Sequence, residues 1–268
     1  MRDLMMGHMA ELRHDPTGKR VRGMLGGQPA VDSRRALLVW EPRRIVPAYA
    51  VPQDDIAAEL VPADPGPASD KPVLHPGIPF AAHSTAGQPY SVRLGDRTLA
   101  GAAFAPADAD LAGYVILDAG AFDEWLEEDE PVRSHPRDPY HRVDTRASGR
   151  HVRIERDGVL LAESTRPVLL FETNLPTRYY LPREDVRAEA RPSAKRTFCP
   201  YKGQASYLSF EVSDDLAWYY PEPLPDIVAI AGLVSFYNEL VEITVDGEPE
   251  GGSSAPLGRA LLDEFGIR

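Results

Sequence analysis

A chain of 268 residues has room for one or two globular domains, and a net charge of -12 with acid in both halves argues against a nucleic-acid partner, because phosphate binding rests on Lys and Arg clusters. No apolar run approaches roughly 18 residues, so no membrane span is expected. One cysteine forbids an internal disulfide and fits the expectation of a reducing cytoplasm, while 26 prolines and 21 glycines favour short strands and turns over helical bundles.

In chain order, residues 1–18 carry Leu4, Met5, Met9 and Leu12 at helix-like spacing, as either a short docking helix or a frayed end. Strands are expected at 21–25, 30–33 and 37–41, with a turn at Gly26-Gly27, and 62–72 reads as a long Pro- and Asp-rich surface loop. A weak helix is expected over 110–125, interrupted by Gly120. Residues 134–149 are polar and stiffened by Pro136 and Pro139, which predicts a linker holding two domains at a defined angle. Beyond it, Asp157-Gly158 sits between strands at 152–156 and 159–164, the signature of a type I′ hairpin. The apolar run 168–172 predicts a strand covered on both faces, and 177–181 a β-branched and aromatic one. Pro182 then opens a single helical turn over 182–185. The second half of 198–212 alternates like a strand, and Trp218-Tyr219-Tyr220 follow. Ile227, Ile230, Ala231, Val234, Tyr237 and Val241 predict a packed helix over 226–242. Leu257, Leu261, Leu262 and Phe265 predict a terminal one.

The chain contains one stretch twice. Val21, Arg22, Gly27, Ser33, Arg35, Leu38 and Glu41 fall without a gap on Val152, Arg153, Gly158, Ser164, Arg166, Leu169 and Glu172. One residue of slack then brings Tyr49, Pro52 and Asp55 onto Tyr179, Pro182 and Asp185. So long a period, present twice, predicts duplicated domains at 19–133 and 150–248, joined by the linker and followed by a tail over 249–268.

The string F-E-T, Y-Y-L-P-R-E-D-V, C-P-Y-K-G, W-Y-Y-P-E-P and I-A-G-L-V-S-F-Y-N-E, spanning about 150–248, resembles the bacterial and fungal domain of unknown function 427 family, also filed under a nucleotidyltransferase-like label. The first copy resembles it in degraded form: His75-Pro76-Gly77 stands where Cys199-Pro200-Tyr201-Lys202-Gly203 is expected, and Ala102-Ala103-Phe104 near Trp218-Tyr219-Tyr220. The resemblance implies a bacterial protein made of compact, mostly antiparallel, tent-like β domains with one helix. It implies almost nothing about a reaction.

Several residues could carry chemistry. Cys199 stands before proline and near Lys202, whose ammonium would favour a thiolate; the alternative is a small buried hydrophobe. No cofactor is expected, since neither a P-loop nor a dinucleotide fingerprint occurs, and a metal is not expected because one cysteine cannot supply two C-x-x-C pairs. The pairs Glu184-Asp185 and Asp54-Asp55 read as first-turn carboxylates more than as magnesium ligands. Tyr179, Tyr180, Tyr201, Tyr207, Trp218 and Tyr220 lie in neighbouring motifs, with Arg183 and Lys202 interleaved, the make-up of a small-molecule pocket; the competing reading is core. Strand alternation puts Trp218 with Tyr220 on one face and Tyr219 on the other. Positions kept in both copies read as framework, so Arg166, Glu172 and Asp185 are expected to be structural, with Arg166 and Glu172 as a strand-spanning pair.

The expected protein is mainly β: a monomer of two tandem, antiparallel, tent-like domains, each with one packed helix, related by a pseudo-two-fold axis. Its expected function is to bind a small planar or anionic molecule in the second domain, between Trp218/Tyr220 and Lys202/Arg183. The alternatives are thiol chemistry by Cys199, or a groove between domains that grips a partner protein.

Overall fold

A computed structural model describes residues 7–250, and the chain divides into two compact units at Asp138/Pro139. The first unit has strands β1 (Arg13–Pro16), β2 (Val21–Leu25), β3 (Gln28–Ser33), β4 (Leu37–Trp40), β5 (Ala48–Pro52) and β6 (Glu59–Pro62). It continues with β7 (Gly87–Leu94), β8 (Arg97–Pro106), β9 (Tyr114–Leu117), β10 (Glu124–Glu127) and β11 (Glu130–Val132). They form a seven-stranded sheet, β1-β4-β5-β9-β8-β7-β6, and a four-stranded sheet, β11-β10-β2-β3.

The second unit repeats the plan with β12 (Val143–Ala147), β13 (Val152–Arg156), β14 (Val159–Ser164), β15 (Val168–Glu172), β16 (Arg178–Leu181) and β17 (Arg191–Cys199). Then come β18 (Gly203–Phe210), β19 (Ser213–Tyr219), β20 (Val234–Phe236), β21 (Glu242–Val245) and β22 (Glu248–Pro249). Their orders, β12-β15-β16-β20-β19-β18-β17 and β14-β13-β21-β22, correspond strand for strand to those of the first unit. All the ladders between these strands are antiparallel. The protein is therefore mainly β, in two antiparallel units.

Local chemistry explains the hairpins. Asp157 and Gly158 take φ of 50° and 77°, the left-handed pair that a type I′ turn needs. Within each unit the two sheets share one apolar core. In the first, Val21 and Trp125 of the smaller sheet meet Leu38, Tyr49, Val51 and Leu117 of the larger. In the second, Val152, Ile154 and Val245 meet Leu169, Tyr179, Leu181 and Phe236. The outer face of the larger second-unit sheet carries a further cluster of Leu170, Tyr180, Trp218 and Tyr220, closed by Ile227 and Ile230.

The expected helix over 226–242 does not form. A 3-10 turn covers Pro225–Ile230, with Ile227 already non-helical at φ -131°, and Gly232 reverses the chain at φ 71°. Val234–Phe236 then becomes β20, paired between β16 and β19. The i, i+3 apolar spacing comes from the turn, where Ile227 and Ile230 face the outer cluster, and the next apolar residues belong to a strand. The weaker helix at 110–125 resolves in the same way into 3-10 turns at Ala109–Leu111 and Ala119–Ala121 around β9. Residues 143–147, read as linker, form edge strand β12 on β15. In the leader, His8–Ala10 is a 3-10 turn, while Leu4, Met5 and the expected terminal helix lie outside the described residues. Among the described residues no helix is long and apolar enough to cross a membrane.

One side-chain clasp recurs in both units. Ser33 Oγ donates to Asp55 at 2.6 Å, as Ser164 Oγ does to Asp185 at 2.7 Å. The arginine two residues on closes the clasp: the Arg35 and Arg166 backbone N–H groups donate to the serine oxygens at 3.1 Å, and both Nε atoms reach the aspartates at 3.3 Å. The serines are buried, so Ser164→Ala removes a donor from a carboxylate and an acceptor from a backbone amide; a loss of about 1–3 kcal/mol is expected. Urea unfolding of Ser33→Ala and Ser164→Ala checks this, and a loss under a few tenths of a kcal/mol in either unit would refute the clasp as a structural device.

Candidate functional site

Glu172 ends β15 just where an apolar strand reaches the rim of the second unit, and its side chain is only 6% exposed. A carboxylate so placed must find a counter-charge. It finds Lys202, whose Nζ donates to Oε2 at 2.5 Å, and His141, whose Nε2 lies 3.0 Å from Oε1. Burial by itself would raise the Glu172 pKa; the Lys202 charge and the hydrogen bonds from His141 and Lys202 outweigh it and hold it at about 2. Lys202 comes from the turn between β17 and β18, where its N–H donates to the Cys199 carbonyl at 3.2 Å and its own carbonyl accepts from Leu224 at 3.2 Å. Gly203 makes this turn possible: its φ is 96°, and a Cβ there would stand 3.3 Å from the Glu222 carbonyl. Tyr201 stacks on the His141 ring with centroids 4.4 Å apart, and half-buried Cys199 completes the corner.

Behind this corner the rings are packed. Tyr180, Tyr207, Trp218 and Tyr220 are all at most 8% exposed. Trp218 Nε1 donates to Tyr180 Oη at 3.0 Å, and Tyr207 Oη shares a hydrogen bond with Thr197 at 2.9 Å. Burial pushes the Tyr180 and Tyr220 phenols well above their usual pKa. The Arg178 guanidinium lies 5.5 Å over the Trp218 ring and grips buried Glu239 through two 2.8 Å hydrogen bonds, with Asn238 at 3.0 Å.

The predicted residues therefore fall into separate places. Strand alternation sends Trp218 and Tyr220 to the outer face and Tyr219 to the inner core, as the sequence implies. It also removes Tyr179, which lies in the inner core with its hydroxyl donating to Glu250 at 2.8 Å. Arg183 stands 4.8 Å over Tyr219 on an exposed turn, so it does not converge with Trp218 and Lys202. Arg166 does not pair with Glu172: it binds Asp185 and Glu184 across the clasp, because Glu172 points to the opposite rim. His141, Arg178 and Glu239 were missed. The retained glutamate signalled that a counter-charge was needed, but nothing local identified partners some thirty residues away.

The first unit treats its equivalent glutamate differently. Glu41, buried at 2% exposure, accepts from Arg44 Nε at 3.3 Å, contacts His83 Nδ1 at 3.1 Å and takes the Ser84 N–H at 3.3 Å. Arg44 also donates to the carbonyls of Pro79, Phe80 and Ala82, which fixes the 75–84 loop. Beside this pair lies a cavity of about 240 Å³ lined by Val39, Ala48, Phe80, Ile116, Glu41 and Asp118, among others. Among the described residues no three His, Cys, Asp or Glu side chains are placed to hold a metal ion.

Fold and site together describe a two-unit antiparallel β protein in which each unit buries a glutamate against one basic side chain and a histidine: Arg44 with His83, and Lys202 with His141. Residues 144–247 match the family described as a domain of unknown function (DUF427). The matched stretch runs from β12 through β21 and holds both Glu172 and Lys202. No curated protein matches the chain.

Proposed function

We propose that the chain is a small-molecule binding protein, that its first unit is a diverged copy of the matched domain, and that the second unit binds its ligand at the corner formed by His141, Tyr201, Cys199, Lys202 and Glu172. The observation that carries this reading is the His141–Tyr201 stack set directly on a buried ion pair, which joins an aromatic surface to a polar, preorganised floor. Tyr180, Tyr207, Trp218 and Tyr220 support that floor rather than touch the ligand, and the Lys202 charge is balanced by Glu172, so the reading favours a planar ligand over a strongly anionic one.

A thermal-shift screen of the full chain against metabolites and nucleotides tests it. A compound at a hundredfold excess over its Kd adds about 2.7 kcal/mol to the native state. The expected result is a hit that disappears in Tyr201→Ala, a change at a half-buried position that leaves the packed rings intact. A screen without hits, or hits indifferent to Tyr201, would sink the reading and leave a partner protein as the alternative. Thiol chemistry by Cys199 needs a cation aimed at the sulfur, whereas Lys202 Nζ is held by Glu172. Iodoacetamide labelling no faster than that of free cysteine would dismiss it.

A further inference from the structure

The two units place different side chains at equivalent ladder positions. In the first, Leu38 pairs with Tyr49 and Val39 with Ala48; in the second, Leu169 pairs with Tyr179 and Leu170 with Arg178. Ala50 pairs with Ile116 as Tyr180 does with Ser235, and Phe104 pairs with Ile116 as Trp218 does with Ser235. Arg178, Tyr180 and Trp218 of the second unit thus correspond to Ala48, Ala50 and Phe104 of the first. Where the second unit packs a guanidinium between Trp218 and the Glu239 carboxylate, the first unit has the 240 Å³ cavity, with Ala48 in its wall.

The polar groups of that cavity are unequal. Glu41 and Arg44 form an ion pair, and Arg44 Nη2 donates to three loop carbonyls. Asp118 follows Leu117 of β9 as Tyr237 follows Phe236 of β20, two residues before the position of Glu239, and its Oδ1 accepts the Gly120 N–H at 3.0 Å. A carboxylate offers about four acceptor sites, so Asp118 retains capacity for a donor in a space whose walls are mostly apolar, with Glu41, Arg44, Ser134 and His135 as the other polar or charged lining residues.

We infer that this cavity is a binding site for a small molecule with an apolar body and a cationic amidinium, guanidinium or amine head, the head meeting Asp118 and so taking the part that Arg178 plays in the second unit. The size fits: a dry cavity of about 150 Å³ accepts benzene, so one of 240 Å³ accommodates about ten non-hydrogen atoms. The wall is preformed, since Arg44 fixes the loop that carries Phe80. Burial raises the Asp118 pKa above its usual value, and the Gly120 N–H and the Arg44 charge offset this only in part, so a bound cation would add to their compensation.

The test is titration of the full chain with benzamidine and with its neutral isostere benzamide, followed by calorimetry and melting temperature. Benzamidine is expected to bind at millimolar or lower concentration and benzamide at least about tenfold more weakly, a difference of about 1.4 kcal/mol. Asp118→Asn should lose that preference while keeping its circular dichroism. Ala48→Arg, which installs the side chain of the second unit, should abolish benzamidine binding without lowering the melting temperature. If Ala48→Arg does not fold, Asp118→Asn decides alone. Equal binding of the two compounds, no binding of benzamidine, or binding that survives Asp118→Asn would overturn the inference. The site is independent of the second-unit corner, because Tyr201→Ala should leave benzamidine binding unchanged.

Discussion

Lys202→Ala is expected to destabilise the second unit by about 3–5 kcal/mol, because it leaves the Glu172 carboxylate buried without its ammonium partner. The pair is not therefore a source of net stability. Desolvating two charges costs several kcal/mol, and their attraction returns little more than it removes. The double variant Glu172→Gln/Lys202→Met should accordingly recover most of the loss. Trp218 is the one tryptophan of the second unit, so Trp40→Phe/Trp125→Phe gives a background in which urea unfolding reports on that unit alone. A loss below 1 kcal/mol in Lys202→Ala would show that water reaches Glu172 freely and that the rim is not closed.

The same pair sets an acid limit. Glu172 is held at about 2, below its ordinary value of 4.5. A carboxylate with a depressed native pKa contributes stability that is fully present above the unfolded pKa and is lost as pH falls through the folded one. The window is therefore pH 4.5 down to about 2, and the shift corresponds to about 3 kcal/mol at about 1.36 kcal/mol per pH unit. Asp185 and Asp246 also lie below their ordinary value, held down by hydrogen bonds and nearby arginines, so they add to the acid dependence of the wild type. The informative quantity is thus the difference between the wild type and the Glu172→Gln/Lys202→Met chain. Wild-type stability should fall more steeply across the window, and parallel curves would contradict the assignment.

Much of this architecture is legible in the sequence because it follows from local rules. Asp157-Gly158 dictates its hairpin, and alternation separates Trp218 and Tyr220 from Tyr219. Asp246-Gly247, with φ of 53° and 87°, carries the same turn signal. The misread helix shows where pattern fails: a 3-10 turn followed by a strand reproduces helical spacing over six apolar residues, and Gly232 was the available warning. The Glu172 centre was half legible. A glutamate closing an apolar run predicts a buried charge, yet its partners come from β12's approach and from the β17–β18 turn, contacts that only the assembled sheet creates. The first-unit cavity is invisible to any reading of one unit by itself. It arises from what Ala48 lacks relative to Arg178, which only the matched ladders of the two units bring into register.

Two units that follow one another in the chain with the same strand order carry a folding hazard, since a strand of one can be taken up by the sheet of the other. The unequal filling of their outer faces works against that exchange. With β5 in the place of β16, Glu239 would be buried without Arg178, Trp218 Nε1 would lose the Tyr180 hydroxyl, and a hole would open beneath the ring. With β16 in the place of β5, an arginine and a tyrosine would be forced into the space beside Glu41 and Phe104. The difference that gives the first unit its cavity also tells each strand which sheet it belongs to.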